Sequence, residues 1–398
     1  MKILRLDVKG FRSLKDVSWA PRDLNVVIGP NGSGKSNLLR LLELISVSAK
    51  GRLGKHIQNC GGMDPLVWDG ALDSISFSVK ATPVDPSRDV RRDSLTYELE
   101  MKRLGNTSSF RVNHELLGNF SKVETRQSKE PFKLIERLGL TASVFDEHER
   151  RLTAPQESIV EDETFLSLAA GPFVANRHIP PFQAQLAGFS VYHDLHVNVD
   201  ATIRRPAVAR LEKRVDPDGQ NLIPVLHTLY TTDRDFKKNI DSAMRAAFGD
   251  DYDELVFPPA ADQRIQLRLR WKSLRREQSA ADLSDGTLRF LFLLTVLATP
   301  SPAPVIAIDE PETGLHPSML PIVAEYAAEA AQRAQVILTT HSPQFLDAFG
   351  LTKPVTTVAK WTGGETKLTV LEGEALDYWL KEYSLGSLFQ SGELEEMA

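Results

Sequence analysis

Four short stretches of this 398-residue chain carry side chains suited to work on a phosphate anhydride. The first, Gly29-Pro30-Asn31-Gly32-Ser33-Gly34-Lys35-Ser36, follows the spacing G-x-x-x-x-G-K-[ST]. Glycines there let the backbone curl until its N–H groups face phosphate oxygens. Lys35 then reaches the β and γ phosphates, and Ser36 offers a hydroxyl to magnesium. The second is Asp309-Glu310 at the end of an apolar run. Asp309 can hold the magnesium, directly or through water, while Glu310 orients and deprotonates an attacking water. The third is His341, at the end of the next apolar run, where a histidine can hydrogen-bond a γ-phosphate and report its presence. The fourth, Leu283-Ser284-Asp285-Gly286, precedes an apolar helix, so Ser284 and Gly286 stand at a second helix start that attracts anions. Taken alone, Ser-Asp-Gly is also an ordinary helix start. Lys35, Glu310 and His341 form the candidate catalytic set.

Remote segments meet only if a scaffold brings them together, and the apolar pattern predicts one. Residues 24–28 read as a buried strand and 36–47 as a helix with Leu38, Leu39, Leu41, Leu42 and Ile45 at helical spacing, giving strand, phosphate loop, helix. Residues 305–308 read as a second buried strand, which delivers Asp309 and Glu310 at the carboxyl edge where ligands collect in parallel α/β sheets. A helix over 319–334 leads to a third strand over 335–340 and to His341. Upstream, residues 2–8 and 17–19 read as an antiparallel pair, and 75–79 with 95–99 as a hairpin around a charged loop at 83–93. Residues 102–164 are weakly patterned and are expected to form a peripheral insertion. Helices are expected from 222 and over about 233–248.

The net charge of −6 excludes a chain coated in positive charge, so nucleic acid would need a local patch. One such patch stands out. Residues 264–272 alternate, with Ile265, Leu267, Leu269 and Trp271 on one face and Gln266, Arg268, Arg270 and Lys272 on the other. That face is either a solvated strand surface or a nucleic-acid contact. The single cysteine, Cys60, excludes an internal disulfide and a cysteine-based metal site. His193 and His196 lack further ligand spacing and read as incidental. The N-terminal residues do not read as a targeting segment, and the longest apolar run, 290–298, is too short for a bilayer. A cytoplasmic protein with no membrane partner is expected.

Taken together, the motifs at 29–37, 283–286, 308–312 and 340–342 resemble the ABC-type ATPases in order and spacing. Gly10-Phe11-Arg12-Ser13 and the asparagine after the phosphate loop, Asn37, are similar to the SMC and RecF branch, especially its compact bacterial "AAA family" ATPases. The tail from Trp379 to Leu394 is similar to those proteins as well. The likeness covers residues 1 to about 80 and 218–398. It implies an α/β fold, a P-loop NTPase head of ABC type with an N-terminal antiparallel sheet, a helical lobe and a short insertion in place of a long coiled coil. The expected divisions are 1–80, 81–217, 218–280 and 281–398, the outer two forming the ATPase head.

The resemblance also implies the ligands and roles. ATP would lie on Gly29 to Asn37 and Mg2+ on Ser36 and Asp309. Gln58 would be the glutamine that senses the γ-phosphate and touches the magnesium, or a solvated loop residue, and Arg12 a phosphate contact or a plain surface arginine. Ser284 and Gly286 would act in trans, in a homodimer that sandwiches two ATP molecules. Asp285 and Thr287 depart from the glycine and glutamine common in transporters, which disfavours a transporter energy subunit. Between Lys35 and Ser284 lie 284 − 35 = 249 residues without sustained heptads, so any arm is short. After His341 only 398 − 341 = 57 residues follow, so a nuclease or effector is expected in trans. The expected function is an ATPase acting on DNA or gating a partner in repair or phage defence, or else an ATP-binding scaffold with low turnover.

Overall fold

Strands that are apolar at every position, rather than at alternate ones, must be covered on both faces. In the computed structural model, which describes residues 1–70, 72–83, 93–105, 107–121, 131–155, 158–171, 176–193, 195–350, 352–372, 374–380 and 382–398, this is the rule that organises the chain. Leu24–Ile28, Val305–Ile308 and Gln335–Thr339 are buried throughout. They form the middle of a six-stranded sheet in the order Ser190–Tyr192, Val305–Ile308, Gln335–Thr339, Leu24–Ile28, Val355–Thr362, Glu365–Leu371. The first five are parallel and the last is antiparallel.

Successive residues of these strands enter different cores. Leu24, Val26, Ile28, Ile306, Ile308, Val336 and Leu338 pack with the helices Leu222–Thr232, Arg234–Phe248, Asp285–Ala298 and Leu320–Ala330. Val27, Val305, Ala307 and Ile337 pack with the helix Lys35–Ala49 and an antiparallel sheet. That second sheet has eight strands in the order Leu14–Trp19, Ile3–Phe11, Ser74–Ala81, Asp93–Arg103, Phe110–Ser121, Phe132–Leu138, Thr141–Asp146, Arg151–Thr153. The hairpin at 75–79 and 95–99 is therefore present, and most of its loop lies outside the described residues.

Two expectations change here. The described residues of 102–153 form the far half of the antiparallel sheet rather than a separate insertion, and Ser190–Tyr192 pairs with Val305–Ile308 in the central one. A lobe division at 81–217 therefore cuts across both sheets. The pattern misleads because this region buries charge. Glu115 and Arg137 are fully buried. Glu115 accepts from the backbone N–H groups of Phe165 (2.6 Å) and Leu166 (2.7 Å) and from the Tyr97 hydroxyl (2.9 Å). Arg137 donates to the carbonyls of Glu163 (2.6 Å), Val160 (2.8 Å) and Gly139 (2.8 Å). Such charges are stable inside only with every partner in place. Register shifts at Glu100/Met101 and Leu117/Gly118 further break the alternation.

The basic strand is also divided. Arg264–Ile265 pairs with Ala207–Val208 and Pro259–Ala260, while Arg268–Trp271 pairs with Tyr252–Val256. Two of its cations face acids and a third a carbonyl. Arg270 stands opposite Glu254 and bonds both Glu254 (2.5 Å) and Glu277 (2.7 Å), Arg268 lies 3.8 Å from Glu277, and Lys272 donates to the carbonyl of Asp250 (2.6 Å). The longest described helices, Lys35–Ala49 and Arg234–Phe248, have 15 residues each, and none described is long and apolar enough to cross a membrane. Because its neighbours already cancel its charge, Arg270→Glu is expected to lower the melting temperature slightly and leave affinity for duplex DNA unchanged. A salt-dependent loss of DNA binding, read by fluorescence anisotropy, would return this strand to the role of a nucleic-acid contact.

Candidate active site

In a parallel sheet all strands deliver their next residues to the same edge, about 5 Å apart per strand. Here Leu24–Ile28 delivers the phosphate loop, Gln335–Thr339 delivers Thr340 and His341, Val305–Ile308 delivers Asp309 and Glu310, and Ser190–Tyr192 delivers His193. The predicted residues from three remote segments are thus neighbours.

The phosphate loop requires its glycines for two reasons. Gly32 and Gly34 have φ of +82° and +99°, in the left-handed region. At Gly29 a Cβ would meet the Ala359 carbonyl at 2.3 Å, and at Gly34 the Thr366 hydroxyl at 2.0 Å. The loop is seated by Thr366, which donates to the Ser33 carbonyl (2.8 Å), and by Asn37, which donates to the Ser13 hydroxyl (2.7 Å). The helix Lys35–Ala49 starts at Gly34 with no side chain capping it, so its first N–H groups remain open to an anion. Lys35 Nζ donates to the carbonyls of Gly29 (2.7 Å) and Pro30 (3.1 Å). Burial pushes its pKa down, against the opposing pull of Glu310, Asp309 and Glu312. Ser33 Oγ and Arg12 Nε are buried without a hydrogen-bond partner among the described residues. Arg12 has a φ of +49°, and its N–H bonds the Leu66 carbonyl (2.7 Å), which fixes the turn that carries it. Uncapped amides, an ammonium and an unpartnered hydroxyl form a donor set that suits a polyphosphate, and the unpartnered nitrogen of Arg12 lies one residue before Ser13, which Asn37 and Thr366 bond.

The carboxylates are held by the neighbouring strand end. Asp309 accepts from the Thr339 hydroxyl, and Glu310 N–H donates to the Thr339 hydroxyl (3.1 Å) and carbonyl (3.2 Å). Burial works against the Asp309 charge, but the neighbouring His193 and the hydroxyls of Thr339 and Ser36 prevail and lower its pKa. Glu310 has a φ of +46°, a strained conformation for a non-glycine residue, and its Oε1 lies 3.1 Å from His341 Nδ1. Glu312 accepts from the Thr340 hydroxyl and, at 3.4 Å, from the His341 N–H, while its second oxygen is buried without a partner among the described residues. Burial raises its pKa.

His193, read from the sequence as incidental, belongs to this site. Nδ1 lies 3.7 Å from Asp309, and Nε2 lies 3.4 Å from Glu43, two turns beyond Ser36 on the same helix. These distances exceed an ordinary hydrogen bond, so the pairing is electrostatic. Burial opposes the imidazolium, but Asp309 and Glu43 outweigh it and raise the pKa. Only strand order places His193 beside Asp309. Gln58 lies on the helix Leu53–Asn59, which buries Leu53 and Ile57 and leaves Gln58 exposed, and the residue set against Asp309 is His193. Ser284 caps the helix Asp285–Ala298, its hydroxyl accepting from the Thr287 N–H (3.1 Å), so the ordinary helix-start reading is also present. Gly286 has no room for a side chain, since a Cβ would meet the Gly314 carbonyl at 2.7 Å.

A family model described as "AAA domain, putative AbiEii toxin, Type IV TA system" matches residues 24–347. The chain belongs to that family. Its motifs and fold are similar to those of ABC-type ATPases of the SMC and RecF branch. Among characterised relatives of this AAA chain, the OLD nuclease of Thermus scotoductus is 22% identical over 349 residues, covering 86% of this chain. The DNA replication and repair protein RecF of a Marinomonas species is 39% identical over 57 residues, covering 14% of this chain. The chain spans 59% of the length of the first and 16% of the second. An Smc head bound to the C-terminal winged-helix domain of ScpA superposes with a TM-score of 0.58 at 14% identity, covering 95% of this chain and all of the other. An Smc head with an extended coiled coil, bound to the C-terminal domain of ScpA derived from Pyrococcus furiosus, gives 0.55 at 13% identity, covering 96% and 99%. These likenesses show the fold to be a P-loop ABC-type ATPase head.

Gly34→Ala is expected to weaken binding of a fluorescent ATP analogue by about tenfold or more. The left-handed backbone alone costs a side chain about 1–2 kcal/mol, before the clash with Thr366. Unchanged affinity in a titration would show that the cradle is looser than its contacts indicate.

Proposed function

We propose that this chain binds ATP with magnesium and hydrolyses it, and that two copies close head to tail around two nucleotides. The convergence of Lys35, Ser36, Asp309, Glu310 and His341 on one sheet edge carries the reading. Ser36 and Asp309 would hold the magnesium, which when bound offsets phosphate charge. Lys35 and the helix start bind the β and γ phosphates, and Arg12 adds its unpartnered nitrogen. Glu310, in reach of His341, orients the attacking water and takes its proton, while His341 bonds the γ-phosphate. Ser284 and the first turn of Asp285–Ala298 complete the site of the other copy, as the transition state gathers negative charge. The names of the RecF and OLD relatives support a role on DNA, in which closing and opening of the pair gates a nuclease or other effector in repair or phage defence.

Glu310→Gln is expected to keep ATP binding and to lose turnover by about 10²-fold or more. With ATP and magnesium its molar mass, read by light scattering, should double, and Ser284→Arg should abolish the doubling. A mass indifferent to ATP would favour a nucleotide-binding scaffold. His193→Ala should raise the magnesium concentration needed for half-maximal binding of the ATP analogue by about tenfold, because it removes the group that orients Asp309. An unchanged magnesium requirement would confine His193 to packing.

A further inference from the structure

Arg204 is buried at the end of the short turn Thr202–Arg204, with its side chain 7% exposed. Its donors go to two loops. Nε donates to the carbonyls of Val197 (2.7 Å) and Asn198 (3.2 Å), in the segment that begins at His193. Nη1 donates to the carbonyls of Leu283 (2.7 Å), Ala280 (3.3 Å) and Ala281 (3.3 Å), and Nη2 to the Asp285 carboxylate. One guanidinium thus grips the residues on both sides of Ser284. Such a fork is within reach of arginine alone, which offers five N–H groups in a fixed plane.

Asp285 gives this grip a chemical purpose. Its side chain is 63% exposed and lies in the first turn of the helix Asp285–Ala298. A carboxylate there favours the helix itself, yet it stands where a second copy would present a γ-phosphate, and like charges in that position repel. The Arg204 cation cancels the Asp285 charge and draws the carboxylate toward the protein, so the helix start stays attractive to phosphate. A loop held only for stability would gain as much from apolar packing, without burying a guanidinium.

We propose that Arg204 is a positioning residue for Ser284: it fixes Leu283 to Asp285 in the arrangement that closes on a partner copy's ATP, and it neutralises Asp285 there. The proposal rests on the two-head reading. Arg204→Met is then defective only in what it presents to its partner, and its own phosphate loop remains intact.

The test is complementation between chains. Arg204→Met alone should bind the ATP analogue within about twofold of the native chain and show at least a tenfold loss of turnover. Lys35→Ala alone is inactive but carries an intact Ser284 loop. Mixing the two builds one whole site from the phosphate loop of the first and the serine loop of the second. Turnover should then rise at least fivefold above the sum of the separate chains, about as far as in the control mixture of Ser284→Arg with Lys35→Ala. If the control mixture recovers and the Arg204→Met mixture does not, the role of Arg204 is overturned. If neither recovers, the two-head reading falls and takes this proposal with it. Should Arg204→Met fail to fold, Arg204→Lys goes through the same mixing, since it keeps the charge but cannot span both loops.

Discussion

The parallel sheet is buried on both faces, and that constraint decides where chemistry can occur. A strand such as Val305–Ile308, with apolar neighbours above and below, has no position along its length for a carboxylate. Asp309 and Glu310 can stand only where the strand leaves the core. The same holds for Gln335–Thr339 and for Leu24–Ile28, so the polar groups of three remote segments are forced to one rim. The site is in this sense a consequence of burial before it is a product of any single contact.

Along that rim, polar side chains tie one strand end to the next. The Thr339 hydroxyl serves Asp309 and Glu310, the Thr340 hydroxyl serves Glu312, and His341 faces Glu310. Across the other flank His193 stands between Asp309 and Glu43, which lies on the helix that begins in the phosphate loop. From there a short segment runs to Arg204 and the Ser284 loop. The groups proposed to touch nucleotide in one copy and in its partner therefore flank one short stretch of chain, with His193 at one end and Arg204 at the other.

What the sequence makes legible follows the same division. The phosphate loop, Asp309, Glu310 and His341 are readable because each follows a short, mostly apolar stretch, and burial on both faces writes such stretches plainly. The antiparallel sheet is less readable past Arg103, because Glu115 and Arg137 are interior residues that look like surface ones and because bulges interrupt the period of two. His193 and Arg204 are unreadable for a further reason. Each acts through partners more than seventy residues away, Asp309 and Leu283, and no local pattern encodes the order of strands in a sheet. Gln58 shows the converse limit: its residue type suits the role, but only the packing of the helix Leu53–Asn59 tells that it faces solvent.

The strained backbone at Glu310 links these observations. A residue at φ +46° is held there by its surroundings, and the holding groups are the Thr339 carbonyl and hydroxyl, which bind its N–H. Thr339 ends a strand buried on both sides and cannot yield without moving the core. The strain is thus anchored to the stiffest part of the fold, while the Glu310 carboxylate at its tip is half-exposed and in reach of His341. A main chain held by the core with a half-exposed acid at its tip is the arrangement that the proposed general base requires: the origin of the side chain is fixed, and only its last torsions remain to answer what binds.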